Sequence, residues 1–340
     1  ARAPIFRPDE RPSMASRLAA VWSLPAWLAE RWVGELGAPA AFALGRAMSM
    51  PARVTLRANV LKATRLELLE TFAAVGVPAI PTAGSPWGLW LPDGRPPRGG
   101  VWQLPGWSEG LFEVQDEGSQ LVALATEARP GESVVDYCAG RGGKTWALAT
   151  LVAPGGSVVA WDVDADLRLQ LGGSRMERAG ATGLVHVAEQ RPVPEVPGRG
   201  SADAVLVDAP CSSSGVLRRH PSQRWALSEA DVGGIVDTQL SVLREAAELV
   251  RPGGRLVYAT CSLLHAENGG VADAFEAASA GEFRPWGFPA AAGSPHHHRT
   301  LLPHVDGTDG FFMARWTRRD SQHTEHPEPV DEAAACGDTG

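Results

Sequence analysis

Five short apolar runs recur between residues 133 and 260: "SVVDY" (133–137), "SVVAW" (157–161), "GLVHV" (183–187), "AVLVD" (204–208) and "RLVYAT" (255–260). Helical stretches lie between most of them. Strands that alternate with helices pair in parallel and bury their faces under those helices, so the pattern predicts an α/β fold with a doubly wound, Rossmann-like sheet. "DGFFMARWT" (309–317) is expected to add a late strand.

The front of the chain reads differently. "SLPAWLAERWVGELG" (23–37) predicts a helix with Ser23 as its N-cap, Pro25 in its first turn and Gly37 at its end. "VTLRANV" (54–60), "RLELLETFAAVGV" (65–77) and "WGLWL" (87–91) then read as strand, helix and strand, and "PDGRPPRGG" as a surface loop. The expected division is an N-terminal helical segment (1–49), a small α+β RNA-binding domain (50–112), the Rossmann-like catalytic domain (113–319) and a disordered acidic tail (320–340).

The net charge of −8 argues against a polyanion partner, but its distribution softens that. Residues 1–70 hold ten Arg and Lys against six Asp and Glu, and residues 321–340 hold acids with no Arg or Lys. Only Lys62 and Lys144 are lysines in an Arg-rich chain, which draws attention to both. No apolar run approaches the ~20 residues of a membrane span. The four cysteines show no CxxC spacing, so free thiols in a reducing compartment, the cytoplasm, are expected.

"DYCAGRGGKT" (136–145) leaves the first strand and enters a helix. Its glycines let backbone approach a ligand closely. Gly143-Lys144-Thr145 matches the end of a P-loop, yet the first glycine of that motif would fall at Cys138, which excludes an ATP loop. The next strand ends in Asp162, placed to accept ribose hydroxyls from NAD or from S-adenosylmethionine alike.

"QDEGSQL", "DYCAGRGGKT", "DAPCSSSG", "YATCS" and "DGFF" follow in that order. Together they resemble the RNA (cytosine-5) methyltransferases of the Sun/NOP/NSUN family, over about residues 20–317. "SLPAWLAERW", "LRANVLKATRLELLETFAAVGV" and "GVLRRHPSQRW" look most like its bacterial Sun/Fmu branch, which modifies small-subunit ribosomal RNA. The stretch before Ser23 is too short for the NusB-like domain that branch often carries. The resemblance implies S-adenosylmethionine as cofactor, held by Cys138, Ala139, Gly140, Arg141, Gly142, Gly143 and Lys144, with Asp162 on the ribose and Glu189 near the adenine. It implies that Asp208 holds the target base, that Cys261 is the nucleophile and that Cys211 helps release product, with Lys144 orienting the loop or the acid. Arg57, Arg218, Arg219 and His220 are expected to contact RNA. The sequence departs from the family at Arg141, usually Pro, at Tyr137, usually small or aliphatic, and at Glu189, usually Asp.

These residue types suit the chemistry. C5 of cytosine is a poor nucleophile until a thiolate adds to C6, and that covalent step divides one hard reaction into easier ones. A non-catalytic assembly factor on the same fold is expected to lack Cys261 or Asp208, and both are present. Action on tRNA or DNA is the alternative to ribosomal RNA. His296, His297 and His298 are taken as loop residues rather than a metal site, for want of an acidic or Cys partner spaced to help. Trp22, Trp27 and Trp32, at near-helical spacing, are expected to pack against the small domain rather than stack on bases. A monomer without metal is expected.

Overall fold

A computed structural model describes residues 13–92, 99–191, 200–288 and 297–320. Three helices open it: α1 (Met14–Trp22), α2 (Ala26–Leu36) and α3 (Ala38–Met48). They bury Leu18, Leu28, Trp32 and Leu44 among themselves and against Leu217, Leu263 and Leu264.

A small four-stranded antiparallel sheet follows, from β1 (Val54–Ala58), β2 (Ile80–Pro81), β3 (Gly88–Leu91) and β4 (Phe112–Val114), in the order β2-β3-β1-β4. Its helix α4 (Arg65–Ala74) starts at a capping box, where Thr64 and Glu67 satisfy each other's backbone N–H groups. Leu56 and Ala58 point to the α4 side and share a core with Leu68, Phe72 and Phe112.

The chain then alternates: α5 (Glu117–Leu124), β5 (Ser133–Asp136), α6 (Gly143–Val152), β6 (Ser157–Ala160), α7 (Ala165–Leu171), α8 (Ser174–Ala179), β7 (Val185–Val187), β8 (Ala202–Asp208), α9 (Gln223–Ala226), α10 (Glu229–Ala247), β9 (Val250–Thr260), α11 (Gly269–Ala278), β10 (Phe283–Pro285), β11 (His298–Leu301) and β12 (Phe311–Arg318). The eight-stranded sheet runs β10-β12-β9-β8-β5-β6-β7, with β11 also on β12. The strands from β7 to β9 are parallel, and β12 lies antiparallel to β9. All five expected apolar runs are strands of this sheet, and the expected late strand is β12. The fold is Rossmann-like with a small α+β unit in front. Strand order reverses at β5, whose neighbours are β6 and β8, and ligands of such sheets bind outside the carboxyl ends at that reversal.

Two local expectations change. Ser23 does not open a helix; at φ 52° it closes α1, its N–H bonding Ala19, and Pro25 caps α2. The tryptophans do pack, but not on the small sheet: buried Trp32 and half-buried Trp22 and Trp27 lie in the cluster that contains Leu217, Leu263 and Leu264. Most of the "PDGRPPRGG" loop, His296 and residues 321–340 lie outside the described residues. No described helix is long and apolar enough to cross a membrane.

Candidate active site

At the end of β5, Asp136 is fully buried and accepts a hydrogen bond from the Thr145 hydroxyl at 2.7 Å. Burial pushes its carboxyl up to about 7, and its Oδ1 has no hydrogen-bond partner. The loop that follows turns through Gly140 (φ 52°) and Gly142 (φ 82°), a region that favours glycine. A Cβ on Gly142 would also meet the Trp146 ring at 2.9 Å. Asp162, beyond β6, holds the loop: its Oδ2 accepts from the Gly140 N–H at 2.8 Å and its Oδ1 from the Asp164 N–H at 2.9 Å. Each oxygen keeps a second lone pair, so two ribose hydroxyls can still bind. Arg141 is exposed on the loop, and Glu189 is exposed just beyond β7. Burial, then the charge of Asp136, raises the Cys138 thiol well above its ordinary value. A nucleoside-bearing cofactor with a cationic end fits this set: a glycine turn, a ribose acceptor and an unpaired buried carboxylate oxygen.

A cavity of about 360 Å³ opens over the loop, lined by Cys138–Arg141, Gly143, Lys144, Asp208 and Arg219 on one side. Thr55 and Val114 of the small sheet complete the lining, together with Gln115, Asp116 and Ser119 of the segment that runs from β4 into α5.

The carboxyl ends of β8 and β9 carry Asp208 and the two cysteines. Lys144 reaches across from α6 to form an ion pair with Asp208. Burial alone would lower the Lys144 ammonium, but the Asp208 carboxylate raises it. Cys211 and Cys261, 50 residues apart in sequence, bring their sulfurs to 3.3 Å. A hydrogen bond from Cys211 lowers the Cys261 thiol against the opposing effect of burial, while that same bond and burial raise Cys211 well above its ordinary value. The two thiols are thus pushed apart, Cys261 toward the thiolate and Cys211 away from it. Ser213 Oγ lies 3.6 Å from the Cys261 sulfur, and Lys144 adds positive charge.

The motifs around these residues act as scaffolding. Buried Glu267 accepts from the Ser212 N–H at 2.8 Å, the Ser262 hydroxyl at 2.6 Å and the Gln239 amide at 3.1 Å. It therefore joins the residue after Cys211 to the residue after Cys261. Gly215 packs against Gly310 of "DGFF", each N–H or carbonyl engaged: Gly215 N–H to Cys261 O and Gly310 N–H to Gly215 O, both 2.8 Å. A Cβ on Gly215 would clash with the Gly310 carbonyl oxygen and one on Gly310 would lie 2.8 Å from the Gly215 Cα, which explains both glycines.

Several expected RNA contacts have other partners. Arg218 is buried and donates to Asp309 at 2.6 Å, while Arg219 pairs with both Asp309 and Asp116. These pairs tie "LRRH", "QDEGS" and "DGFF" together. Arg219 is part-exposed at the cavity and His220 is exposed beside it, so only these two face outward. Arg57 is 1% exposed, so the expected surface contact is corrected: its Nε donates to Gln115 at 2.6 Å beneath the small sheet, and burial lowers its guanidinium to about 10. His297 and His298 also differ from expectation, since an acidic partner is present: Glu276 of α11 lies 2.7 Å from His297 Nε2.

Four residues escaped the sequence reading. Asp136 was signalled by its place at a strand end before the glycines. Asp116 and Asp309 sat inside recognised motifs with no sign of their mutual pairing. Glu267 lies in "LLHAEN", where nothing local marks it.

Residues 123–317 match the model of the family described as 16S rRNA methyltransferase RsmB/F, and residues 24–96 that of a ferredoxin-like domain of RsmF/B-like methyltransferases. The chain is 34% identical to the probable ribosomal RNA small subunit methyltransferase B of Bacillus subtilis, over 89% of this chain and 68% of that one. It is 36% identical to ribosomal RNA small subunit methyltransferase B of Klebsiella pneumoniae, over 64% of this chain and 49% of that one. A crystal structure of a methyltransferase homologue from Pyrococcus horikoshii superposes with a TM-score of 0.76 at 26% identity, covering 91% of this chain and all of that one.

Proposed function

Since this chain belongs to the RsmB/F family of 16S rRNA methyltransferases, we propose that it methylates C5 of a cytosine in ribosomal RNA through a covalent bond from Cys261 to C6. The observation that carries this reading is the pair of cysteine sulfurs 3.3 Å apart at the carboxyl ends of β8 and β9. S-adenosylmethionine, held by the loop 138–144 and Asp162, supplies an electrophilic methyl group.

The protein's own groups do the rest. Cys261, as thiolate, forms the bond to C6, and the displaced ring electrons raise the nucleophilicity of C5. Asp208 accepts from the exocyclic amine, and Lys144, paired with it, supplies the positive charge and proton that let N3 accept density during attack. After transfer C5 loses its proton to solvent water, N3 returns its proton to Lys144, the C6–S bond breaks and aromaticity returns. Cys211, 3.3 Å from Cys261, stabilises the departing thiolate by donating a hydrogen bond to it. The cation of Arg219 and the exposed His220 lie where a phosphate near an extruded base can be held.

The test is a denaturing gel of each cysteine variant with S-adenosylmethionine and ribosomal RNA, with tRNA, DNA and free cytidine as parallel substrates. Cys211→Ala is expected to accumulate a slow-migrating, heat-stable RNA adduct, and Cys261→Ala to form none and to lose turnover. The reverse pattern moves the nucleophile to Cys211. Full activity in both variants reduces the pair to packing, and preferred turnover of tRNA or DNA overturns the substrate.

A further inference from the structure

At the far edge of the large sheet, three side chains from two elements and their approach converge outside the catalytic cavity. Glu276 projects from α11, His298 is the first residue of β11, and His297 directly precedes it. Glu276 Oε1 lies 2.7 Å from His297 Nε2 and 3.9 Å from His298 Nε2, and one ligand atom from each of the three falls within 4.8 Å of the other two. Adjacent residues of a strand point to opposite faces, so two neighbouring histidines rarely converge. Here they do because His297 sits before the strand begins, its carbonyl bonded to the Arg315 N–H at 3.0 Å while His298 registers with Ala314.

We propose that Glu276, His297 and His298 form a three-ligand site for a divalent transition cation of the zinc type, with a structural role. Zinc takes imidazole nitrogen and carboxylate oxygen at about 2.0–2.1 Å in tetrahedral geometry, which separates neighbouring donors by about 3.3 Å. The two separations bracket that value, each about 0.6 Å from it, so small side-chain rotations that spread one pair and close the others complete the site. Two further features favour a cation over a plain hydrogen bond. His298 Nε2 is buried and has no hydrogen-bond partner, and a cation satisfies it. Trp316 of β12 donates its indole N–H to Glu276 Oε1 at 2.8 Å, the kind of outer hydrogen bond that fixes a carboxylate ligand. All three side chains are about a quarter exposed, which leaves an entry path and room for a water as fourth ligand. The bound ion would pin α11 to β11 over the sheet.

The experiment titrates zinc chloride into the chelator-stripped full chain by calorimetry, in parallel with the Cys211→Ser/Cys261→Ser protein, which lacks the competing thiols. One equivalent is expected in both, with a rise in thermal midpoint, and at least a tenfold loss of affinity in Glu276→Gln and in His298→Asn. Cobalt chloride added to the unaltered chain gives a readout that needs no variant: tetrahedral visible absorption without thiolate-to-metal charge transfer. Absence of binding, binding lost with the cysteines, thiolate charge transfer as the only cobalt signal, or unchanged affinity in folded Glu276→Gln and His298→Asn each overturns the proposal. Methyl transfer needs none of these residues, so this result and that of the adduct gel are independent.

Discussion

Cys211 and Cys261 lie 3.3 Å apart, and removing one sulfur changes the chemistry of the other. The hydrogen bond from Cys211 is the largest influence lowering Cys261, and burial opposes it. With Cys211→Ala the lowering is lost while burial stays, so the Cys261 thiol rises. Its thiolate fraction at any given pH falls, and the reactive form appears only at higher pH. The expected outcome is a displacement of the rising limb of Cys261 alkylation by iodoacetamide toward alkaline pH in Cys211→Ala, followed by peptide mass analysis. A limb that stays in place, or moves toward acid, shows that Cys211 is not the donor. Lys144 contributes to the same balance from the other side, through its charge near Cys261 and its ion pair with Asp208.

The loops after β8 and β9 hold the site only because buried groups between them are satisfied. Glu267 is the joint, and its two oxygens do different jobs. Oε2 accepts from the Ser212 backbone N–H, which cannot reverse, and from the Gln239 amide, whose orientation the Pro210 carbonyl holds, whereas Oε1 accepts from the Ser262 hydroxyl, which can rotate. Glu267→Gln can keep its oxygen toward the N–H donors and turn its amide to Ser262. It should cost under about 1 kcal/mol, whereas Glu267→Ala orphans buried donors at about 1–3 kcal/mol each and should cost on the order of 3 kcal/mol in all. Urea midpoints for the two variants check this, and equal losses would remove the distinction between the two oxygens. The strands themselves were legible, because a run such as "AVLVD" can only be a buried strand at that length and spacing. Glu267 was not, because its partners Ser212 and Gln239 are brought near by the fold rather than by sequence. Arg57 misled for a related reason. β1 alternates Leu56 and Ala58 toward α4 with Thr55 and Arg57 away, and an isolated small sheet would leave that second face wet. Here the segment 115–120, which runs into α5, covers it, through Gln115 on Arg57 and Gln120 on the Leu56 carbonyl. Ser23 reads equally well as the start of one helix or the end of another, and only its positive φ decides.

Between the small sheet and the large one, α8 serves as a bolt. Its last carbonyls lack helical partners and are taken by side chains from the other unit: Asn59 Nδ2 donates to Ala179 O at 2.8 Å, and Lys62 Nζ to Arg178 O at 2.6 Å. The same two groups also hold Gly110 O and Glu109 O, at 2.8 and 2.9 Å. Arg178 returns the contact, pairing with Glu113 and lying 4.1 Å from the Trp107 ring centre. So Lys62, one of the two lysines, serves the joint between units, where a cation also suits a helix C-terminus. The whole chain should therefore melt in one calorimetric transition. Asn59→Ala, which leaves two carbonyls at the joint unpaired at about 1–3 kcal/mol each, should separate a lower shoulder for the small unit. A single, merely shifted peak would show that the units are coupled by other contacts.

That bolted joint sets who moves during recognition. Thr55 and Val114 of the small sheet face the glycine loop 138–144 across the cavity, and the hydrogen bonds at the joint oppose widening of the gap. A stiff slot does not close around its guest, so the work of fitting falls on the nucleic acid, whose base must leave its stack at a cost of a few kcal/mol. That cost is smallest where a strand is already unpaired. On the function proposed above, such a slot would act as a gauge of RNA pliability: among equal sequences, the cytosine that its neighbours hold most loosely would be turned over first.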